Sequence, residues 1–392
     1  MGRLMNAWEL KIIFIISKMG MGGAQRIVLD LANSLAAREA QVELLIFYRT
    51  PQDASILSQL DPRIRLTCLT SVKFKADHVR PLGIQLLLLP LRALGWALRR
   101  RLGRYHIVHA NLLAASVFTA FCSLFWRRDN PTRPRFVETF HADLINLYWW
   151  ERLIFGLTWR QMDRLILELR RKDVGILRKS LSGRVVHIPF GIPALDAPTP
   201  PALDAARMDL VGRPAILSVT RLNQREKRVL DLIEIVHRFH QLHKGTFLFL
   251  LVGDGPDRAA AQELVENLGL SGSVRFTGYL DDFRALCKAS RAFLIAGVED
   301  LVGIAGLQAA SLGTPIVSFQ MDPEWEAGEG LFFNTASHQA AAEELEKLVS
   351  DPAYHAKASA YVSEIVRTRF SLERMATSTL EVYLSLLNPR QD

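Results

Sequence analysis

Glu299-Asp300-Leu301-Val302-Gly303-Ile304-Ala305-Gly306-Leu307-Gln308-Ala309-Ala310-Ser311-Leu312-Gly313-Thr314-Pro315-Ile316-Val317 reads as an acidic loop, a helix of small residues, a Gly-x-Pro stop and the start of a strand. A β-rich run at 292–296 precedes it, so the whole is a strand–helix–strand unit of the kind that builds a parallel α/β sheet. Asp300 and Gln308 stand eight residues apart, two helical turns, which sets both on one side of a helix that spans them. A helix start opening from a loop leaves N–H groups unpaired and turns its positive dipole end toward an anion. The plain alternative is a βαβ unit whose Gly and Ala residues only permit close packing. This stretch alone does not decide between the two.

Working backward, the same pattern recurs. Residues 215–220 read as a strand, followed by Arg221-Leu-Asn-Gln-Arg-Glu-Lys227-Arg228 and a helix over 230–242. A strand over 247–252 ends in Gly253-Asp254-Gly255-Pro256, then a helix runs to residue 268. A strand over 273–277 leads into Gly278-Tyr279, and a helix covers 283–290. Residues 194–207, rich in Pro, Ala and Asp without an apolar strand, form a linker before this half.

Upstream of the linker lies a second α/β pattern. A β-rich run at 11–16 ends in a turn containing Gly22 and Gly23, and a helix with Ile27, Val28, Leu31 and Leu35 on one face follows. Further strands are expected at 41–47, 63–69, 106–109, 135–141, 162–167 and 185–188, with helices at 82–102 and 112–125. The glycines do not spell GxGxxG, so a nicotinamide-dinucleotide fingerprint is absent. His141 falls at the carboxyl end of its strand, where ligands of open α/β sheets bind; a loop histidine capping a helix is the alternative. A last amphipathic helix is expected over 372–387.

Bulk properties agree with two domains. The chain has 392 residues, 49% hydrophobic and 22% charged, which is too long for one typical core and globular in composition. Its net charge of +8 is uneven: residues 1–196 hold 29 Lys/Arg against 15 Asp/Glu, a net of +14, and residues 197–392 hold 19 against 25, a net of −6. The first half is therefore suited to face something anionic. Nucleic acid is disfavoured, because the basic residues are not interleaved with aromatics on a recognisable module. Three scattered cysteines without metal spacing read as buried thiols in a reducing compartment. No signal-peptide pattern is visible, and the apolar run at 82–98 is interrupted by Pro90 and Arg92, too short to span a bilayer. The expected location is the cytoplasm, with peripheral contact at the inner face of the membrane through residues 82–104, Trp149-Trp150 and the arginine clusters.

Four segments together resemble the GT-B glycosyltransferases, most closely the retaining family 4 group (glycosyl transferases group 1). Met21-Gly22-Gly23-Ala24-Gln25-Arg26 is similar to the family's N-terminal glycine turn. Val219-Thr220-Arg221-Leu222 through Lys227-Arg228 resembles its basic pair. Gly253-Asp254-Gly255-Pro256 with Val274 to Gly278 resembles its middle, and Asp300 to Pro315 its acidic-x7-acidic signature. This sequence departs from that signature at three places. Asp300 replaces the first Glu unless Glu299 takes the role by a one-residue shift, Gln308 replaces the second, and Leu301 stands where Gly is usual.

The resemblance implies two Rossmann-like domains facing across a cleft, residues 1–193 on the acceptor side and 208–370 on the donor side, with 371–392 crossing back to the first. It implies a nucleotide-sugar donor, a glycan or lipid-linked acceptor, and neither metal nor other cofactor. Arg221 and Lys227 would stabilise the leaving diphosphate, by a forked guanidinium and a point charge respectively. Together with Asp300 they form the expected catalytic set. Asp300 or Glu299 would bind sugar hydroxyls, Gln308 the ribose hydroxyls, and His141 the donor sugar. Gly22, Gly23, Gly253, Gly303 and Ile304 would lie along the donor, with the base near Gly278-Tyr279. Gln25, Arg26, Asn111 and Asp143 are assigned to the acceptor side. The altered Asp300 and Gln308 also keep open a non-catalytic sugar-nucleotide-binding subunit, and the fold a phosphorylase or epimerase.

Overall fold

The computed structural model describes residues 9–20, 22–49, 53–69, 102–128, 130–141, 149–168, 183–195, 212–280, 282–296, 302–319 and 332–388. Asp143, Glu299, Asp300, residues 196–207 of the expected linker and nearly all of the helix expected over 82–102 lie outside the described residues. The chain divides into two units, Met1–Pro193 with Leu372–Asp392, and Ala194–Ser371.

Among its described residues the first unit holds seven parallel strands: β1 (Lys11–Ile16), β2 (Gln41–Ile46), β3 (Arg65–Cys68), β4 (Ile107–Asn111), β5 (Arg135–Phe140), β6 (Arg164–Leu167) and β7 (Val185–His187). Their spatial order is β3-β2-β1-β4-β5-β6-β7. Strand β1, Lys-Ile-Ile-Phe-Ile-Ile, is buried at every position but its first; covered on both faces, it needs a continuous apolar run rather than alternation. The chain winds outward from β1 to β3, then crosses to β4 on the other side, so the order reverses between β1 and β4. Helices α1 (Gly23–Ala37), α2 (Asp53–Leu57), α3 (Leu113–Ser123) and α4 (Trp149–Trp159) lie among the described residues of this half. A core of Ile13, Ile15, Val108, Phe118, Phe136, Phe140, Phe155 and Trp159 joins β1, β4 and β5 to α3 and α4.

Among its described residues the second unit holds six parallel strands: β8 (Ala215–Val219), β9 (Leu248–Val252), β10 (Val274–Gly278), β11 (Ser290–Ala296), β12 (Ile316–Phe319) and β13 (Phe332–Thr335). Their order is β10-β9-β8-β11-β12-β13, reversing between β8 and β11. The helices are α5 (Gln224–Lys227), α6 (Val229–Leu242), α7 (Arg258–Asn267), α8 (Arg284–Ala289), α9 (Gly303–Ser311), α10 (His338–Ser350) and α11 (Pro352–Arg369). Helix α6 packs Leu232, Ile233, Val236 and Phe239 into a core shared with Phe249, Leu251 and α10.

Helix α12 (Leu372–Leu387) belongs to the first unit despite its place at the end of the chain. Leu372 N–H donates to the Ile192 carbonyl (2.8 Å), and Arg38 at the end of α1 donates to the Glu373 carbonyl (3.2 Å) and Thr377 Oγ1 (3.1 Å). The helix expected from sequence over 372–387 thus returns to the N-terminal sheet. Cys122 and Cys287 are buried and Cys68 half-buried, all as thiols.

Candidate functional site

In open parallel sheets the ligand crevice opens at the carboxyl ends of the strands, where the strand order reverses and helices leave to opposite faces. Each unit has one such point among the described residues.

In the second unit, the chain leaves β8 through Thr220, Arg221 and Leu222. A Cβ at Gly253 would lie 2.0 Å from the Thr220 carbonyl oxygen, and one at Gly255 2.3 Å from that of Leu222. Gly253 also holds φ of +129°, so both the space and the backbone require glycine there. Leu222 N–H donates to the Asp254 carbonyl (3.1 Å), Asp257 N–H to the Leu222 carbonyl (3.0 Å), and Gly253 N–H to the Gly278 carbonyl (2.8 Å). The ends of β8, β9 and β10 are thereby laced at fixed spacing, and Arg221 emerges exposed from the first. Gly278 sits at φ of +74°, followed by Tyr279, which is 54% exposed.

Of the basic pair, Lys227 is half-buried at the end of α5. Its neighbour Arg228, in left-handed backbone at φ of +47°, is built into the framework. Arg228 Nε and Nη2 donate to Asp231 (3.1 and 3.0 Å), and the guanidinium lies 4.8 Å from the Phe319 ring centroid. Asp231 also accepts from Gln224 Nε2 (3.0 Å) and meets His338 Nε2 at 2.9 Å. Burial raises the Asp231 carboxyl, but the hydrogen bonds from Arg228, His338 and Gln224 outweigh it and hold the group below its usual range.

On the other side of the reversal, β11 leads to α9. Gly303 opens that helix at φ of +69°, and no side chain caps it from Val302. Gly306 is buried against Val302, whose Cγ1 would stand 2.3 Å from a Cβ there. Ile304 and Gln308 are half-buried one turn apart on the same side of the helix. Because the helix begins at Gly303, the two-turn relation expected between residues 300 and 308 extends beyond it, and Asp300 and Glu299 are outside the described residues.

In the first unit the reversal lies between the Gly22-Gly23 turn after β1 and Asn111 at the end of β4. Gly22 is the extended N-cap of α1, and Gln25 folds back over it: Gln25 Oε1 would be 2.3 Å from a Gly22 Cβ. Arg26 Nε donates to Asp30 (2.9 Å) and its Nη1 to Gln59 Oε1 (2.6 Å), so the guanidinium is tied to its own domain. Burial raises the Asp30 carboxyl against the lowering pull of Arg26.

The structure brings Asn111 and His141 together, with His141 Nε2 2.9 Å from Asn111 Oδ1. Residue 112, which follows Asn111, is a leucine at φ of +71° and ψ of 155°, a strained backbone that turns the chain sharply into α3. His141 Nδ1 lies 3.0 Å from Glu168 Oε1 but out of line for a hydrogen bond, and both side chains are almost fully buried. That contact is attractive only with a proton between the two groups. Asn111, Thr139, His141 and Glu168 line a small cavity closed by Ile27 and Val28 of α1 and by Met375 and Thr379 of α12.

Sequence reading missed Glu168, His109 and Tyr383. Glu168 follows directly on β6, beside the strand bearing His141, which is the one local signal for it. His109 is fully buried, with Nε2 2.7 Å from Thr139 Oγ1 and Nδ1 bonded to the Tyr383 hydroxyl of α12. Burial, helped by the charge of His141, pushes its pKa down to about 3, so the ring is neutral, one nitrogen donating and the other accepting. Arg258 is a further addition: it donates to Asp254 Oδ2 (3.3 Å) and lies 6.0 Å from the Phe276 ring centroid, next to Gly278.

Comparison with known proteins follows the same two-part plan. A family model described as Glycosyl transferases group 1 matches residues 213–351, and one described as Glycosyltransferase Family 4 matches residues 21–173. The lipopolysaccharide core biosynthesis glycosyltransferase LpsE of Rhizobium meliloti (strain 1021) is 26% identical over 371 residues, covering 93% of this chain and 96% of that protein. The crystal structure of Anabaena Alr3699/HepE in complex with UDP and glucose is similar with a TM-score of 0.76 at 18% identity, over 96% of this chain and all (100%) of the other. Sucrose-phosphate synthase from Thermosynechococcus elongatus gives a TM-score of 0.74 at 18% identity, over 96% and 99% of the two chains. With each half matched by a glycosyltransferase family model and the whole chain by this two-sheet fold, the protein is a GT-B glycosyltransferase.

Proposed function

We propose that the protein transfers a glycosyl group from a nucleotide-sugar to a glycan or lipid-linked acceptor, in the assembly of a surface polysaccharide or glycolipid. The second unit takes the donor and the first the acceptor. The observation that carries this reading is the pairing at the second unit's strand reversal: exposed Arg221 after β8 on one side, the start of α9 after β11, with no side-chain cap from Val302, on the other. A cation and a helix N-terminus at that point suit a diphosphate. The similarity to LpsE supports the biosynthetic setting, and the UDP and glucose bound by the Anabaena protein support the donor class.

In the reaction the bond between the anomeric carbon and the leaving phosphate oxygen breaks, and its electron pair stays on the diphosphate. An acceptor hydroxyl oxygen forms the new bond on the same face, giving retention, and its proton passes to the departing phosphate. Arg221 and Lys227 stabilise the charge that builds on the diphosphate, a task otherwise given to a divalent metal. Gln308 offers both a carbonyl acceptor and an amide donor to ribose hydroxyls, and Asp300 or Glu299 an acceptor to the sugar. His141, bonded to Asn111 and beside Glu168, remains assigned to the donor sugar; Gly278 and Tyr279 take the base. Gln25, Arg26 and Asp143 remain assigned to the acceptor side.

A thermal-shift screen of UDP-, GDP- and ADP-sugars tests the reading. A ligand at a hundredfold excess over its dissociation constant stabilises by about 2.7 kcal/mol, a shift of several degrees in a domain of this size. One nucleotide class should raise the melting temperature above the others. No shift with any of them would overturn the assignment.

A further inference from the structure

Asn111, His141 and Glu168 meet because adjacent parallel strands end level with one another. Asn111 closes β4 in register with Thr139 of β5, and Phe140 of β5 pairs with Leu167 of β6. His141 and Glu168 are the next residues on those two strands, so the register sets them side by side. Their side chains are 2% and 5% exposed, and His141 Nδ1 stands 3.0 Å from Glu168 Oε1. Among the described residues Nδ1 has no aligned hydrogen-bond partner.

The partners of the ring set its protons. Asn111 Nδ2 donates to the His109 carbonyl (3.3 Å), which turns the amide oxygen toward His141 Nε2 at 2.9 Å. An amide oxygen accepts, so Nε2 carries a proton. With that proton alone, the ring would present the Nδ1 lone pair to a carboxylate oxygen 3.0 Å away, and two buried acceptors so close repel. A second proton therefore lies between them, and imidazole is ordinarily a stronger base than a carboxylate, so the proton rests on the ring. The surrounding wall adds no competing charge: α1 contributes Ile27, Val28 and Leu31, and α12 contributes Met375 and Thr379, none of them titratable. From β4, His109 is held neutral by burial and by the charge on His141. From β7, His187 Nε2 lies 3.1 Å from the main-chain carbonyl of Glu168.

We propose that Glu168 is a positioning residue for His141, holding it as a doubly protonated ring fixed between two strand ends. This role rests on the reading that His141 meets the donor sugar, and it adds how the ring is held there. With Nε2 directed at Asn111 and Nδ1 beside Glu168, neither nitrogen is free to take a proton from an acceptor hydroxyl. His141 thus serves as a ring of fixed orientation, and the acceptor proton goes to the departing phosphate. Raising the pH removes the Nδ1 proton, sets lone pair against carboxylate and releases the ring.

The test joins NMR of the ring to kinetics. In protein carrying isotope-labelled histidine, the His141 signals are those missing from His141→Asn. Near neutral pH both ring nitrogens of native His141 should bear protons, and Nδ1 should be bare in Glu168→Gln, whose amide donates to it. A bare Nδ1 in native protein near neutral pH would overturn the proposal.

For turnover, the probe is whichever of UDP-glucose, GDP-mannose and ADP-glucose gives the largest thermal shift, read as nucleoside diphosphate released. Native kcat should fall as pH is raised, together with loss of the Nδ1 proton, a comparison that stands even where a variant fails to fold. A natively melting Glu168→Gln should turn over about tenfold more slowly and be flat across that range. A native fall that does not follow the Nδ1 proton would overturn the proposal. So would a Glu168→Gln protein with native turnover, or with a pH profile parallel to the native one, as a merely structural role predicts. If native protein shows neither donor shift nor turnover while the doubly protonated ring is still seen, the transferase reading fails and the positioning role falls with it. A bare Nδ1 in a protein that turns over donor strikes the Glu168 role alone.

Discussion

Gly253 faces the carbonyl oxygen of Thr220 so closely that a Cβ on Gly253 would stand 2.0 Å from it. That approach sets the spacing between the turn that carries Arg221 and the turn that ends β9. Gly253→Ala must push the two turns apart and adopt a strained φ, because the neighbour is backbone and cannot rotate away. We expect a loss of about 2 kcal/mol or more in unfolding free energy, together with weaker nucleotide binding. Urea unfolding and the nucleotide thermal shift measure both. A variant with native stability would show that the turns are not packed this way.

Tyr383→Phe should cost about 1–3 kcal/mol, because it leaves the buried His109 Nδ1 without its partner. The loss should appear in the melting temperature of the first unit, since the bond pins α12 to β4. Thr139→Val, which strips the other side of the same ring, should fall in the same range.

Glu138 gives the stability of the first unit a pH dependence with a defined sign. The carboxyl is fully buried on β5, accepts from Trp159 Nε1 (3.1 Å), and is pushed up by burial to about 7 from an ordinary 4.5. A carboxyl that binds its proton more tightly when folded contributes fully below its unfolded value. That contribution is then lost as pH rises through the folded one. Stability should therefore decline between about pH 4.5 and 7, by roughly 3 kcal/mol at about 1.4 kcal/mol per pH unit. Glu138→Gln should flatten that slope; melting curves of both proteins across the window provide the check.

These groups also show where the sequence was readable. Most strands were legible because both faces are covered and their apolar runs are continuous, as in β1 and β9, while β13 was not singled out. Helix 372–387 was legible from its periodicity, and its return to the first sheet from the resemblance. Helices α10 and α11 were not singled out, although Ser337 and Asp351-Pro352 are N-terminal signals that mark them. The strand reversals placed Arg221, Gly22, Gly23 and Asn111 together with the ends of the strands they follow. The His109–Tyr383 contact spans 274 positions and has no local spacing to reveal it. The role of Lys227 came from the resemblance; that its neighbour Arg228 is part of the framework shows only in its partners Asp231 and Phe319, with His338 on the same carboxylate.

Asp231→Asn should test that distinction. Its carboxyl is held below the usual range, so its contribution is present above the unfolded value and lost as pH falls through the folded one. The variant should lose about 1–3 kcal/mol near neutral pH and show a shallower loss of stability in acid than the native protein. An unchanged acid limb would remove Asp231 as the hub of this cluster.

The central claim is that Arg221 stabilises charge on a departing diphosphate, and steady-state transfer by Arg221→Ala measures it most directly. The donor is the nucleotide-sugar that gives the largest thermal shift, and the variant's own melting curve confirms folding. The account predicts that kcat falls about a hundredfold or more, while the exposed position of Arg221 leaves stability nearly unchanged. A natively folded Arg221→Ala protein that turns over donor at the native rate would contradict it.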